Sequence, residues 1–256
     1  MPNDDHVRWS KDGGIGRITL HRPSRRNALT AGMWETLVHL ATERVLSENV
    51  RALVLTGADG AFCSGNDIEM LQNCLVDQAA THRFHQLVDT ALQAIRDLPM
   101  PTIAAVDGPC FGAGLMLATA CDLRVASPSA RFCAPPAKLG LVYGIGETRS
   151  LVRLVGPARA KEMLFSARVV GCDEALRIGL AERQSDGPAV DAAEALAREV
   201  ADLSPMTHRA SKLLVDAAAA EVAQQPWMDQ LRDGATATSD FREGYAAFVA
   251  KRRPRF

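Results

Sequence analysis

Two short segments, Ala52-Leu53-Val54-Leu55-Thr56 and Thr102-Ile103-Ala104-Ala105-Val106, constrain the fold of this chain more than any other feature. Both lack alternation between polar and apolar positions, which is the pattern of a strand covered on its two faces. Such strands need helices above and below, and helical patterns lie between them. Thr30 stands where an N-cap belongs, ahead of Met33, Leu37, Leu40 and Val45 at helical spacing. Residues 77–97 place Phe84, Leu87, Val88, Ala91 and Ile95 on one stripe, and the pattern stops before Pro99 and Pro101. Residues 113–121 are apolar but for Thr119, as a buried helix is, and 122–126 return to strand. With an opening strand at 17–20, strands and helices alternate through the first half. That order predicts right-handed βαβ units, a mainly parallel sheet and an α/β fold. From about Gly146 onward almost everything reads as helix, including the Ala-rich segments 189–203 and 207–220.

The 256 residues, 47% hydrophobic and 23% charged, suffice for one large core with a small appendage at most. Lys and Arg, 29 in all, nearly balance the 30 Asp and Glu, so no global field draws nucleic acid or an anionic membrane. The first residues are polar and acidic, and no run of about 18 apolar residues occurs. The chain is therefore expected to lack a targeting segment and to reside in the cytoplasm. Six scattered cysteines, with no C-x-x-C pair, read as reduced core thiols; no metal site or redox cofactor is indicated.

Two segments share one design, a buried strand followed by a glycine turn and a helix start: Ala61-Phe62-Cys63-Ser64-Gly65-Asn66-Asp67-Ile68 and Gly108-Pro109-Cys110-Phe111-Gly112-Ala113-Gly114. Glycine lets backbone approach a ligand closely, and free N–H groups at a helix start suit an oxygen that becomes negative. Singly, each turn is as easily a plain loop. Together with R-P-x-x-x-N-A-L (Arg22 to Leu29), P-T-I-A-A-V-D-G (Pro101 to Gly108), C-D-L-R-V-A-S (Cys121 to Ser127), F-C-A-P-P-A-K-L-G-L (Phe132 to Leu141) and E-A-L-R-I-G-L (Glu174 to Leu180), they resemble the crotonase, or enoyl-CoA hydratase/isomerase, family in order and spacing.

The resemblance implies a ClpP/crotonase-like spiral of ββα units over residues 1–198 and a C-terminal helical trimerisation region over 199–256. It implies a homotrimer or dimer of trimers. The ligand would be an acyl-CoA thioester, whose CoA is part of the substrate and not a separate cofactor. Carried over by position, the oxyanion hole is formed by the backbone N–H groups of Asn66 and Ala113. Arg25 and Arg26 meet the CoA nucleotide, Ser64, Asp67 and Ile68 lie near the adenine and pantetheine, and Phe248 and Lys251 reach a neighbouring subunit's ligand.

The pattern breaks at the two glutamates with which hydratases of this family handle water. Counted from the flanking motifs, those positions are Met116 and Pro136. Neither side chain transfers a proton, so hydration by the two-carboxylate route is not expected. An oxyanion hole still stabilises a thioester enolate, and decarboxylation makes that enolate with no base. The segment around Tyr143 is similar to methylmalonyl-CoA decarboxylases of the family, which have a histidine where this chain has Asn66. Glu147 is an alternative acid/base for hydration or isomerisation, or simply a helix-start residue; Tyr143 matches a tyrosine of those decarboxylases, or is a pocket wall. His85 is a further lone candidate on its helix. A non-catalytic acyl-CoA-binding protein is the remaining alternative.

Overall fold

The computed structural model describes residues 5–74 and 77–256. Strands β1 (Val7–Asp12) and β2 (Ile15–Leu20) form an antiparallel hairpin, and β2 continues in parallel to β3 (Ala52–Gly57), β4 (Thr102–Val106), β6 (Leu123–Ala126) and β9 (Arg183–Gln184). A second sheet of three strands joins β5 (Pro109–Phe111), β7 (Arg131–Cys133) and β8 (Val169–Gly171). The chain thus turns from the large sheet into the small one at Asp107-Gly108, directly ahead of the second glycine turn.

Strand β3 has the two-sided burial its composition predicts. Leu53 and Leu55 enter the main core with Trp34, Leu37, Phe62 and Leu92, while Ala52 and Val54 face a second core closed by Ala189, Ala193, Leu196 and Ala197. Each fully buried Leu or Val contributes about 1.5–3 kcal/mol, so this double-faced strand anchors everything attached to its end. The helix Ala189–Ala201 supplies the second cover and spans the expected 198/199 boundary. Helix Ala31–His39 starts as predicted, with Thr30 Oγ1 accepting from the Met33 N–H at 3.2 Å.

The region after Gly146 is not all helix. β8 and β9 are only 3 and 2 residues long, too short to show periodicity, and each exists because an edge of a sheet is available to pair with. β1 also differs from expectation: its sequence VRWSKD is polar because most of its residues are exposed at the sheet's edge. The stretch 72–80 contains the end of a helix, Ile68–Cys74, and the start of Gln78–Arg96; its residues 75 and 76 lie outside the described ones.

Candidate active site

The two glycine turns come together. The Phe62 N–H donates to Asp107 O at 2.7 Å, Cys63 N–H to Pro109 O at 2.8 Å and Phe111 N–H to Cys63 O at 2.9 Å, which staples the first turn along β5. Gly65 and Gly112 both have φ in the left-handed region, +119° and +54°. A Cβ on Gly65 would lie 4.0 Å from the Ala113 nitrogen, and one on Gly112 would lie 3.9 Å from Gly65 Cα. Around this junction Leu29 N–H bonds Gly65 O, Asp67 N–H bonds Leu29 O, and Gly112 N–H bonds Cys133 O. Among the described residues the N–H groups of Asn66 and Ala113 donate to no group of the protein. They are unspent donors at adjoining turns, one of them at the first residue of the buried helix Ala113–Ala120.

The side chain of Asn66 is fixed by a residue that the sequence reading did not single out. Trp34, fully buried, donates its Nε1–H to Asn66 Oδ1 at 2.9 Å. Indole N–H only donates, so the amide oxygen must face Trp34 and the NH2 group is left as the remaining donor. Asn27, also buried, clamps the basic turn: its Oδ1 accepts from the Arg22 N–H at 2.8 Å, and its Nδ2 donates to Ala58 O and Ala61 O at 2.9 and 2.6 Å.

Arg25 and Arg26 are exposed beside this arrangement, and their carbonyls accept from Ser64 Oγ at 3.1 Å and Ser64 N–H at 3.0 Å. Ile68 is exposed at the start of its helix. Asp67 is buried, paired with Arg22, and caps that helix by accepting from the Glu69 N–H at 2.9 Å. The Arg22 hydrogen bond holds the Asp67 carboxyl below its ordinary 3.8. Arg22→Met leaves a buried carboxylate without its partner and is expected to destabilise the fold by about 3 kcal/mol in urea titrations at pH 7. Because the folded value is depressed, that contribution is present above pH 3.8 and is lost as pH falls below it. Phe248 and Lys251 stand apart, exposed on and just after the final helix, Ser239–Val249.

Met116 is half-buried against the core and Pro136 is buried at the start of the short helix Pro136–Leu139. Beyond them the polar groups concentrate at one place. Among the described residues five buried side-chain N or O atoms have no hydrogen-bond partner, and four belong to Tyr143 Oη, Glu147 Oε2 and Arg96 Nε and Nη2. Glu147 folds back over the start of the helix Ile145–Ser166: a Cβ on Gly144 would meet its Oε2 at 2.6 Å. Burial, opposed by a bond from its own backbone N–H, pushes its carboxyl above the ordinary 4.5, and Asp89 adds to the rise. Desolvation therefore outweighs the helix start, which alone would favour the carboxylate.

Burial also raises the Tyr143 phenol, whose charged form would be opposed by Cys133, Cys110 and Glu147. Tyr143 is thus within electrostatic reach of Cys110, on the strand of the second glycine turn, and of Glu147. The Cys63 and Cys121 thiols are pushed up to about 12 by burial, which leaves them unreactive at neutral pH. His85 is exposed. No group of three or more His, Cys, Asp or Glu among the described residues has metal-binding geometry. A cleft of about 610 Å³ near Arg8, Arg17, Thr56 and Pro188 includes none of the residues named for the site.

The sequence profile described as Enoyl-CoA hydratase/isomerase matches residues 10–256. The chain belongs to that family. A Mycobacterium tuberculosis protein named "Probable enoyl-CoA hydratase echA6" is 39% identical over 240 residues, covering 93% of this chain and 94% of its own. The human "Enoyl-CoA hydratase domain-containing protein 2, mitochondrial" is 36% identical over 257 residues, covering 96% and 86%. The solved structure of an enoyl-CoA hydratase/carnithine racemase from Magnetospirillum magneticum superposes with a TM-score of 0.92 at 31% identity, covering 99% of this chain and 96% of that one. The ββα crotonase fold and the acyl-CoA thioester as the family's substrate follow. No helix among the described residues is long and apolar enough to cross a membrane.

Proposed function

We propose that this family member decarboxylates a malonyl-type acyl-CoA thioester. The thioester oxygen is received by the N–H groups of Asn66 and Ala113, with Arg25, Arg26, Ser64, Asp67 and Ile68 along the CoA portion. Loss of CO2 leaves its bonding electron pair on Cα as an enolate, whose negative oxygen the two amides stabilise. A proton from Glu147 then reaches Cα and completes the acyl-CoA product, with Tyr143 as the adjoining neutral wall. Phe248 and Lys251 serve a neighbouring subunit in a cytoplasmic trimer or dimer of trimers.

The observation that carries this reading is the state of Glu147. Its carboxyl is buried with Oε2 free of any protein partner, and burial shifts it above 4.5, so it holds a proton more readily than a free glutamate, as a proton donor must. Met116 and Pro136 offer no second carboxylate and none to repel a substrate carboxylate. Hydration, the activity in the names of the relatives, is the second reading and needs Glu147 ionised. Incubation with malonyl-CoA, methylmalonyl-CoA and crotonyl-CoA separates them. CO2 release with deuterium taken up at Cα in D2O is expected; hydration of crotonyl-CoA alone, or tight binding of all three without turnover, would overturn the proposal.

The orientation of Asn66 adds a specific expectation. In this reading its remaining NH2 group holds the substrate carboxylate before CO2 leaves, and the Trp34 hydrogen bond keeps the amide from flipping. Trp34→Phe should weaken binding of a carboxylated acyl-CoA by about fivefold, one net hydrogen bond, relative to its uncarboxylated counterpart. Calorimetric titration of both ligands checks this, and an equal loss for the two would remove the Asn66 side chain from carboxylate recognition.

A further inference from the structure

A buried acid that gives up its proton in each turnover must recover one, and Glu147 is only 6% exposed. Two residues on one face of the helix Gln78–Arg96, seven positions apart, approach it: Asp89 and Arg96. Asp89 is exposed to solvent, and its carboxyl is within hydrogen-bonding reach of Glu147. The Arg96 guanidinium comes in beside Gly146, whose Cβ position lies 3.9 Å from Nη1. Its Nε and Nη2 are buried without a hydrogen-bond partner, as is Glu147 Oε2. A half-buried guanidinium and a buried carboxyl thus come to the same helix start without forming an ion pair, while an exposed carboxyl is in hydrogen-bonding reach of the second.

We propose that Asp89 and Arg96 are positioning residues that reload Glu147: Asp89 passes a proton from bulk water to the buried carboxyl, and Arg96 holds the negative charge left there between turnovers. The balance is simple. Glu147–COOH gives its proton to the enolate carbon and becomes a carboxylate stabilised by Arg96; Asp89 accepts a proton from water or buffer and hands it inward, ending as it began. Arg96 is in turn under the influence of Asp97 and Arg153, and Glu147 also faces Tyr143, so these groups set the remaining field. The inference rests on the reading of Glu147 as the proton donor, but its two residues are tested without substrate as well.

In protein with 13C-labelled glutamate carboxyls, the Glu147 signal, assigned by its loss in Glu147→Gln, is titrated with no ligand bound. Asp89→Ala is expected to lower its midpoint, since the charge and hydrogen bond of Asp89 favour the protonated form, and Arg96→Met to raise it. Steady-state turnover of malonyl-type thioester should fall about tenfold in Asp89→Ala and be restored by added formate, which a purely structural role would not allow. Unchanged Glu147 midpoints in both variants would overturn the inference even if decarboxylation is observed. Shifted midpoints with no CO2 release would instead defeat the proposed reaction while leaving the coupling of the three side chains standing. Loss of turnover in Asp89→Ala that formate does not restore would refute proton delivery by Asp89.

Discussion

Glu147→Gln is expected to lower turnover of a malonyl-type thioester by about 10²–10⁴, the range for a positioned general acid, with little change in the affinity for substrate. The amide keeps the shape and hydrogen-bonding capacity of the carboxyl but has no proton to give, so CO2 loss still forms the enolate and its quenching becomes slow. Stability should move the other way. The carboxyl is raised in the folded state, so its penalty is absent below the ordinary value of 4.5 and complete only above the folded value. The variant should therefore be more stable than the parent at pH 8 and level with it at pH 4. Thermal unfolding at the two pH values, beside single-turnover kinetics, reads both effects. Retained turnover would remove Glu147 from proton donation.

Gly114→Ala is expected to cost about 10²–10³ in turnover, the loss found when an oxyanion donor is misplaced, without removing any polar group. The reason is contact geometry. A Cβ at position 114 would sit 2.5 Å from Cys63 O and 2.7 Å from Cys63 Cβ, and Cys63 is joined to Cys110 and Phe111 on the stapled strand. Neither neighbour is the loose end of a flexible side chain, so one turn must move away from the other. Overpacking of this kind also costs about 1–3 kcal/mol of stability. Turnover per folded molecule, with unfolding measured in parallel, separates the displaced amide from simple loss of protein. Normal turnover in a folded Gly114→Ala protein would show that close approach of these turns is not needed.

The sheet's central strands were legible because burial on two faces leaves an unmistakable composition, and β3 divides its residues between two cores as that composition requires. The turns around Asn66 and Ala113 were legible because glycines at such places answer to backbone geometry. What was not legible came from pairing and long-range contact. β8 and β9 exist only as partners to strands far away in sequence, and no local periodicity marks them. Trp34 reads as a core residue, and its hydrogen bond to Asn66 spans 32 positions. Glu147 was visible as a carboxyl at a helix start, yet the shift of that carboxyl comes from burial and from Asp89, far away in the chain. A motif comparison names a position; the raised carboxyl there is a property of long-range contact.

The central claim is that the Asn66 and Ala113 amides take the same thioester oxygen. Isotope-edited infrared spectroscopy of a non-reactive acyl-CoA, labelled with 13C at the thioester carbonyl, measures the polarisation of that bond directly. Two converging donors predict a carbonyl band shifted to lower frequency in the complex than in water, and a shift that shrinks in Gly114→Ala. A bound ligand whose carbonyl band stays at its solution frequency would contradict the account.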